Sequence, residues 1–259
     1  MEINGRILLT YLSIKHKGNW EKIYETIRNK THVDEEDVEK TLTNLKSKVV
    51  TLLDPEYPDN LKEIYKPPFA LFYYGDISLI NNYKRNIAVV GARNASDYGK
   101  EQISNIIKEI AKDYVIVSGL AKGIDTCAHI ASVENGGRTI AVLGCGLDYC
   151  YPEENKELQN IIKKNHLLIS EYPEGVKPDP SHYVIRNRIV VGLSKGVIAI
   201  DCKEISGTIS SVNLAANLNR DLMSIPYPVG SGFYNNHLIN EGANLIENGN
   251  DVRLVLGSY

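Results

Sequence analysis

The sequence predicts an α/β protein in which a doubly wound, mostly parallel sheet is preceded by a small helical bundle. Two observations carry this expectation. From Asn86 onward, short β-branched runs alternate with helical stretches, and strand–helix–strand at this spacing marks parallel βαβ units with helices on both faces. Before that point, apolar residues recur every three or four positions, the period of an amphipathic helix.

Taken in order, the helical set between Gly5 and about Lys48 is Ile7, Leu8, Tyr11 and Leu12, then Trp20, Ile23, Tyr24 and Ile27, then Val38, Leu42 and Leu45. Thr31 to Asp37 supplies capping residues and an acidic first turn for the third helix. Residues 1–48 are thus expected to form the helical domain. Residues 49–85 hold Asp54-Pro55, Tyr57-Pro58 and Pro67-Pro68 and read as a connector packed on the core, too rich in proline for helix. The remainder, 86–259, is expected to form the sheet domain. Its strands are Ile87–Val90, Val115–Ser118, Thr139–Leu143, Leu167–Ser170, Val197–Ile200 and Leu222–Ile225. Its helices are Tyr98–Lys112, Ile124–Glu134, Glu153–Asn165, His182–Leu193 and Ile209–Asn219. No signal marks a third domain.

Composition narrows the function classes. With 43 % hydrophobic and 24 % charged residues the chain is not wholly disordered. Its longest apolar runs, Ile140–Leu143 and Ile189–Leu193, fall far short of a membrane span. Met1–Thr10 lacks the basic-then-apolar pattern of a secretory signal, so a cytoplasmic protein is expected. Cys127, Cys145, Cys150 and Cys202 form no CxxC pair and no Cys/His metal spacing. They are expected to be small core fillers in a reducing compartment, with no metal bound. A net charge of −3 excludes a surface coated in basic residues. Nucleic acid, if bound, requires a localised groove with clustered Lys and Arg.

The chemistry gathers where strands end. Val90 runs into Gly91-Ala92-Arg93-Asn94, Val117 into Ser118-Gly119-Leu120-Ala121-Lys122-Gly123, Leu143 into Gly144-Cys145-Gly146, and Ile200 into Asp201 through Ser206-Gly207-Thr208. That edge of an open α/β sheet is where ligands bind. Glycine allows close backbone approach to a phosphate, and the following helix offers free N–H groups. Any one such turn is equally well explained by sterics; several together favour an anionic ligand. A second feature is Tyr183-Val184-Ile185-Arg186-Asn187-Arg188. Arg186 and Arg188 point in different directions but flank one site, Asn187 can cap or hold a base edge, and Tyr183 can stack on a base. Spacing alone fits a capped helix with solvated charges slightly better. His129, four residues after Asp125, is better explained by a structural hydrogen bond on one helix face than by catalysis. Glu171 has no nucleophile or paired carboxylate spaced with it, and no Ser-His-Asp order, HExxH or GxxxxGK[ST] is present.

Several strings then identify a family. Val90 to Arg93, Ser118 to Asp125 with Ala128-His129, Gly136 to Gly144, Gly146-Leu147-Asp148 with Tyr151-Pro152, and Arg186 to Ile189 with Gly192-Leu193-Ser194 resemble the DprA/Smf DNA-processing proteins. So does the connector, with Tyr57-Pro58, Leu61, Pro67-Pro68, Leu71 and Gly75-Asp76. The resemblance runs from Lys48 to about Ile246. It implies a Rossmann-like core and a SAM-like helical N-terminal domain. It also implies a non-enzymatic function without cofactor: binding and protecting single-stranded DNA and loading the RecA recombinase in natural transformation. A homodimer through the region after about Leu214 is implied as well, with Leu218, Leu222 and Leu238 shared between subunits. Carried over by position, the DNA site comprises Gly91, Arg93, Ser118, Gly119, Lys122, Tyr183, Arg186, Asn187 and Arg188; Lys203 joins them on location. The chain departs from the family pattern at Tyr183-Val184 for Phe-Pro, Asp201-Cys202 for Glu-Ala, Thr208 for serine and Tyr234 for glycine. The winged helix that ends many members has no counterpart in these residues, which points to the form without it. The alternatives are a LOG-like nucleoside-monophosphate phosphoribohydrolase and a non-catalytic nucleotide sensor. The first requires a glutamate where Ser211 stands. A dinucleotide dehydrogenase lacks its GxGxxG.

Overall fold

A computed structural model describes residues 3–257. Three helices open the chain: α1 (Gly5–Lys15), α2 (Trp20–Arg28) and α3 (Glu35–Thr43). Asn4 and Asn19 cap the first two, their side chains accepting from Ile7 N and Lys22 N. Tyr11, Leu12, Ile23 and Val38 form their small core.

The connector holds more structure than its prolines suggested. Lys48–Thr51 is a strand, β1, and Ala70–Gly75 a second, β2; one helical turn, α4 (Asp59–Lys62), follows Pro58. β1 pairs antiparallel with β2, and β2 pairs antiparallel with β6. The segment therefore extends the sheet of the core and does not merely pack on it. Proline excludes helix interiors, but here the prolines lie outside the strands, where no ladder hydrogen bond is lost.

The core follows as β3 (Asn86–Gly91), α5 (Asp97–Ile110), β4 (Val115–Ser118), α6 (Ile124–Glu134), β5 (Arg138–Leu143), α7 (Lys156–Asn165), β6 (Leu167–Ser170), α8 (Pro180–Gly192), β7 (Gly196–Ile200), α9 (Gly207–Asn217), β8 (Asp221–Ser224), α10 (Asn235–Asn240), β9 (Asn244–Leu245) and α11 (Gly249–Leu256). Among the described residues nine strands lie in the order β1-β2-β6-β5-β4-β3-β7-β8-β9, parallel from β6 to β9. This is the mixed, mostly parallel Rossmann-like sheet expected from the sequence. β9 is the late addition, since two residues carry no periodicity to read.

Strand alternation assigns the layers. Ile87 and Val89 of β3 face α5, whose Ile103, Ile106, Ile107 and Ile110 recur at helical spacing and are all buried with them. Ala88 and Val90 face the other way, with Ile189 and Val190 of α8 and Val212 and Ala215 of α9. Full burial of each such isoleucine or valine contributes about 1.5–3 kcal/mol. Leaving β3, successive crossovers run through β4, β5 and β6 on one side and, after α8, through β7, β8 and β9 on the other. The chain thus reverses direction between β3 and β7, a topological switch point where the loops diverge and leave a crevice. Of the cysteines, Cys145 and Cys202 are buried and Cys127 and Cys150 half-buried; all four are free thiols.

Candidate functional site

The crevice at the switch point is a pocket of about 460 Å³. Three strand ends and two helix N-termini build it. From β3 come Gly91, Arg93 and Asn94; from the β4 loop, Gly119 and Ala121; from α8, Tyr183, Arg186 and Asn187; from the β7 loop, Lys203 and Ser206 to Thr208.

The loops are held by their own carboxylates. Asp201 accepts from Ser96 N at 2.6 Å, Ser96 Oγ at 2.7 Å and Tyr227 OH at 2.6 Å, which ties the β7 loop to the start of α5. Ser96 in turn caps α5 by accepting from Gly99 N. Cys202 N donates to Asn235 Oδ1 at 2.8 Å. Asp125 Oδ2 accepts from Gly119 N at 3.1 Å and Ala121 N at 3.3 Å. Burial pushes the Asp125 carboxyl above its ordinary value, against the pull of Arg186 and the two amides. Gly123, at φ 79°, turns the loop so that Ile124 N donates to Ala92 O at 3.2 Å; a β-carbon there would meet the Ala92 and Arg93 carbonyls.

Arg186 is the floor of the pocket. It is 3 % exposed, and its Nη1 donates to the carbonyl of Gly119 at 2.5 Å and to that of Val142. Burial lowers its proton affinity, with Asp125 opposing the shift. No carboxylate lies within ion-pair distance of Arg186 among the described residues, and Asp125 acts on it only from farther away. Above it Arg93 stacks its guanidinium 5.2 Å from the Tyr183 ring centre, and Tyr151 stacks on that ring at 5.7 Å. Gly144 leaves the space that Tyr183 fills. At the opposite wall α9 begins with Ser206 capping Ile209 N; the Gly207 and Thr208 amides have no partner among the described residues. Arg93 and Lys203 are exposed at the rim, and Lys203 forms no ion pair among the described residues.

The sequence candidates separate into three groups. Gly91, Arg93, Gly119, Tyr183, Arg186, Asn187 and Lys203 converge on this pocket. Ser118 does not reach it: fully buried, it donates to Val89 O at 2.7 Å. Lys122 stands apart on the surface, paired with Glu154 at 2.9 Å. Arg188 does not flank the same site as Arg186. Two residues along a helix turn about 200°, and Arg188 enters a different cavity, where its Nη2 meets Glu171 Oε1 at 2.6 Å. Glu171 is thus an ion-pair partner. His129 and Asp125 are both structural, but each bonds elsewhere: His129 Nδ1 lies 2.6 Å from Thr139 Oγ1. The sequence reading missed Ser211, a buried hydroxyl without a partner among the described residues that lines the pocket; the free α9 amides beside it were signalled by Ser206-Gly207. No group of three metal-ligating side chains occurs among the described residues, and no helix is long and apolar enough to cross a membrane.

These features define a Rossmann-like protein whose switch-point pocket presents buried and rim cations, free helix amides and an aromatic wall. The profile described as DNA recombination-mediator protein A matches residues 48–256. The chain is 45 % identical over 204 residues to DNA processing protein DprA of Streptococcus pneumoniae, covering 78 % of this chain and 72 % of that protein. It is 40 % identical over 206 residues to DprA of Bacillus subtilis, covering 78 % and 69 %. The X-ray structure of DprA from Streptococcus pneumoniae superposes with a TM-score of 0.81 at 34 % identity, covering 98 % of each chain. A Helicobacter pylori DprA structure, described by its single-stranded DNA binding mode, gives 0.72 at 30 % identity, covering 84 % of this chain and 99 % of that one. The chain belongs to the DNA recombination-mediator protein A (DprA/Smf) family.

Proposed function

We propose that this protein binds single-stranded DNA in the switch-point pocket, shields it, and passes it to the RecA recombinase during transformation or recombination in the cytoplasm. The observation that carries the reading is the convergence of Arg93, Arg186 and Lys203 with the free amides of α9 in one crevice. Net charge is −3, so this local cluster, not the average surface, supplies the attraction for phosphate. Arg93 and Tyr151, exposed and stacked on Tyr183, offer planar outer faces for unstacked bases, which a single strand has and a duplex hides. The binding mode named for the Helicobacter pylori relative supports the same ligand. A binding role fits better than hydrolysis because Asp125 and Asp201, the two carboxylates lining the pocket, are occupied in holding its loops. An electrophoretic mobility assay with one sequence in single- and double-stranded form tests this. Single strands are expected to bind much more tightly; equal affinity for the duplex overturns the reading.

A homodimer through the region after Leu214 belongs to the same proposal, with different contacts. Leu238 is 4 % exposed inside this chain's own core, and Leu218 and Leu222 pack against it. Val229, Leu245 and Leu254 are the exposed large apolar residues of that region among the described residues. Light scattering is expected to give twice the chain mass; a monomer at tens of micromolar removes the dimer.

A further inference from the structure

A second cavity, of about 650 Å³, lies where the helical domain meets the core. Its walls are the α1–α2 turn with Lys17, the start of α2 with Trp20 and Lys22, the connector with Tyr65 and Lys66, and α8 with His182 and Arg188. Three features call for a ligand. Arg188 is 8 % exposed, and its Nη1 has no hydrogen-bond partner among the described residues. An unsatisfied buried donor on a charged group is costly unless something fills the site. Beside it, the Glu171 carboxylate, buried and raised in proton affinity by that burial, accepts from Arg188 Nη2 and lines the same cavity. The cavity floor therefore sets a donor next to an acceptor, the pattern on the edge of a nucleobase. The rim is aromatic and cationic. Tyr172 and His182 stack at 4.0 Å; Trp20 stacks on Tyr24 and Phe69; Tyr65 is 75 % exposed. Lys66 pairs with Glu21 and Arg188 with Glu171, while Lys17 and Lys22 have no acidic partner among the described residues.

The cavity adjoins the first at one residue. Val184, in the N-terminal half of α8, lines both. We propose, resting on the reading above, that the bound single strand runs over this part of α8 from the switch-point pocket into the interdomain cavity. There an extruded nucleotide places its base edge on Arg188 and Glu171, its face against the aromatic rim, and its phosphates near Lys17 and Lys22. The volume is within the range of a ligand site, about 300–1,000 Å³. The helical domain is then one wall of the DNA path.

The sole tryptophan, Trp20, lies in this wall, which gives a direct readout. The full chain is titrated with oligothymidylate of about four and about sixteen nucleotides, following both the anisotropy of the labelled strand and Trp20 emission. Both lengths are expected to raise anisotropy, and only the longer to change Trp20 emission. Tyr65→Ala, at an exposed position, is expected to weaken the longer strand about fivefold or more and leave the shorter unchanged. Binding of the longer strand with constant Trp20 emission, or wild-type affinity of Tyr65→Ala for both lengths, overturns the cavity subsite and leaves the switch-point pocket standing. No rise in anisotropy with either length overturns both.

Discussion

His129 lies wholly buried between α6 and β5, and its neighbours fix its tautomer. The Thr139 hydroxyl donates to Ile116 O at 2.7 Å, so its oxygen accepts from His129 Nδ1–H, and Nε2 stays a buried acceptor with no partner among the described residues. Burial, helped by the charges of Arg186 and His166, lowers its pKa from 6.5 to about 3. Because the folded value is depressed, the unfolded chain binds the proton first as pH falls. Stability from this residue is whole above pH 6.5 and is lost between 6.5 and about 3, at about 1.4 kcal/mol per pH unit. His129→Asn keeps an amide donor toward Thr139 and cannot titrate there. Its denaturant-measured stability is expected to fall less steeply from neutral pH to pH about 4; parallel curves would show that the imidazole is charged in the fold. At the pocket rim, Arg93→Ala and Lys203→Ala are each expected to weaken single-strand binding about fivefold, with the protein equally stable to denaturant. Unchanged affinity in both would remove the rim cations from the site. Which arginine does what was not legible in the sequence. Arg186-Asn187-Arg188 reads as one cationic motif, yet the helix sends its two arginines to opposite cavities, and that depends on which face of α8 meets the sheet.

Among the elements, the β4–α6 loop depends most tightly on a missing side chain. A β-carbon on Gly119 would strike the Arg186 guanidinium, whose hydrogen bond to the Gly119 carbonyl holds both in place. Gly119→Ala is expected to cost about 1–3 kcal/mol of stability by overpacking and to weaken DNA binding, because Arg186 must leave the pocket floor. Retention of both wild-type stability and affinity would mean that the loop relaxes without moving Arg186. The six strands from β3 to β8 and the five helices between them were legible because short apolar, β-branched runs alternate with helical stretches, as Ile103, Ile106, Ile107 and Ile110 mark for α5. β1 and β2 were not. Their status as strands comes from pairing with each other and with β6, nearly a hundred residues on, and no local pattern announces a partner so far away.

At the scale of the molecule, a chain of net charge −3 must bind phosphate through a few local contacts. Two or three contacts at the switch point predict a log–log salt slope of about −1.4 to −2 for single strands, shallower by about 0.7 for each rim cation removed. A slope near zero would exclude phosphate contacts altogether. The Rossmann-like plan was legible in the alternation of strands and helices, whereas the joining of the first 85 residues to it was not: Tyr74 OH donating to Glu174 Oε1 at 2.6 Å is a contact no periodicity foretells. The position of the pocket has one more consequence. Arg93, Gly119, Arg186 and Lys203 come from separate crossovers and meet only when β3, β4 and β7 are paired. The recognition surface is therefore a high-contact-order object, present in no fragment and in no partly folded intermediate that lacks the switch. Occupancy and cooperative unfolding are thermodynamically linked, and saturating oligonucleotide should raise the melting midpoint of the parallel core as a unit. At a hundredfold excess over the dissociation constant the gain is about 2.7 kcal/mol, so a thermal shift of one undivided transition reports the same equilibrium as a binding isotherm.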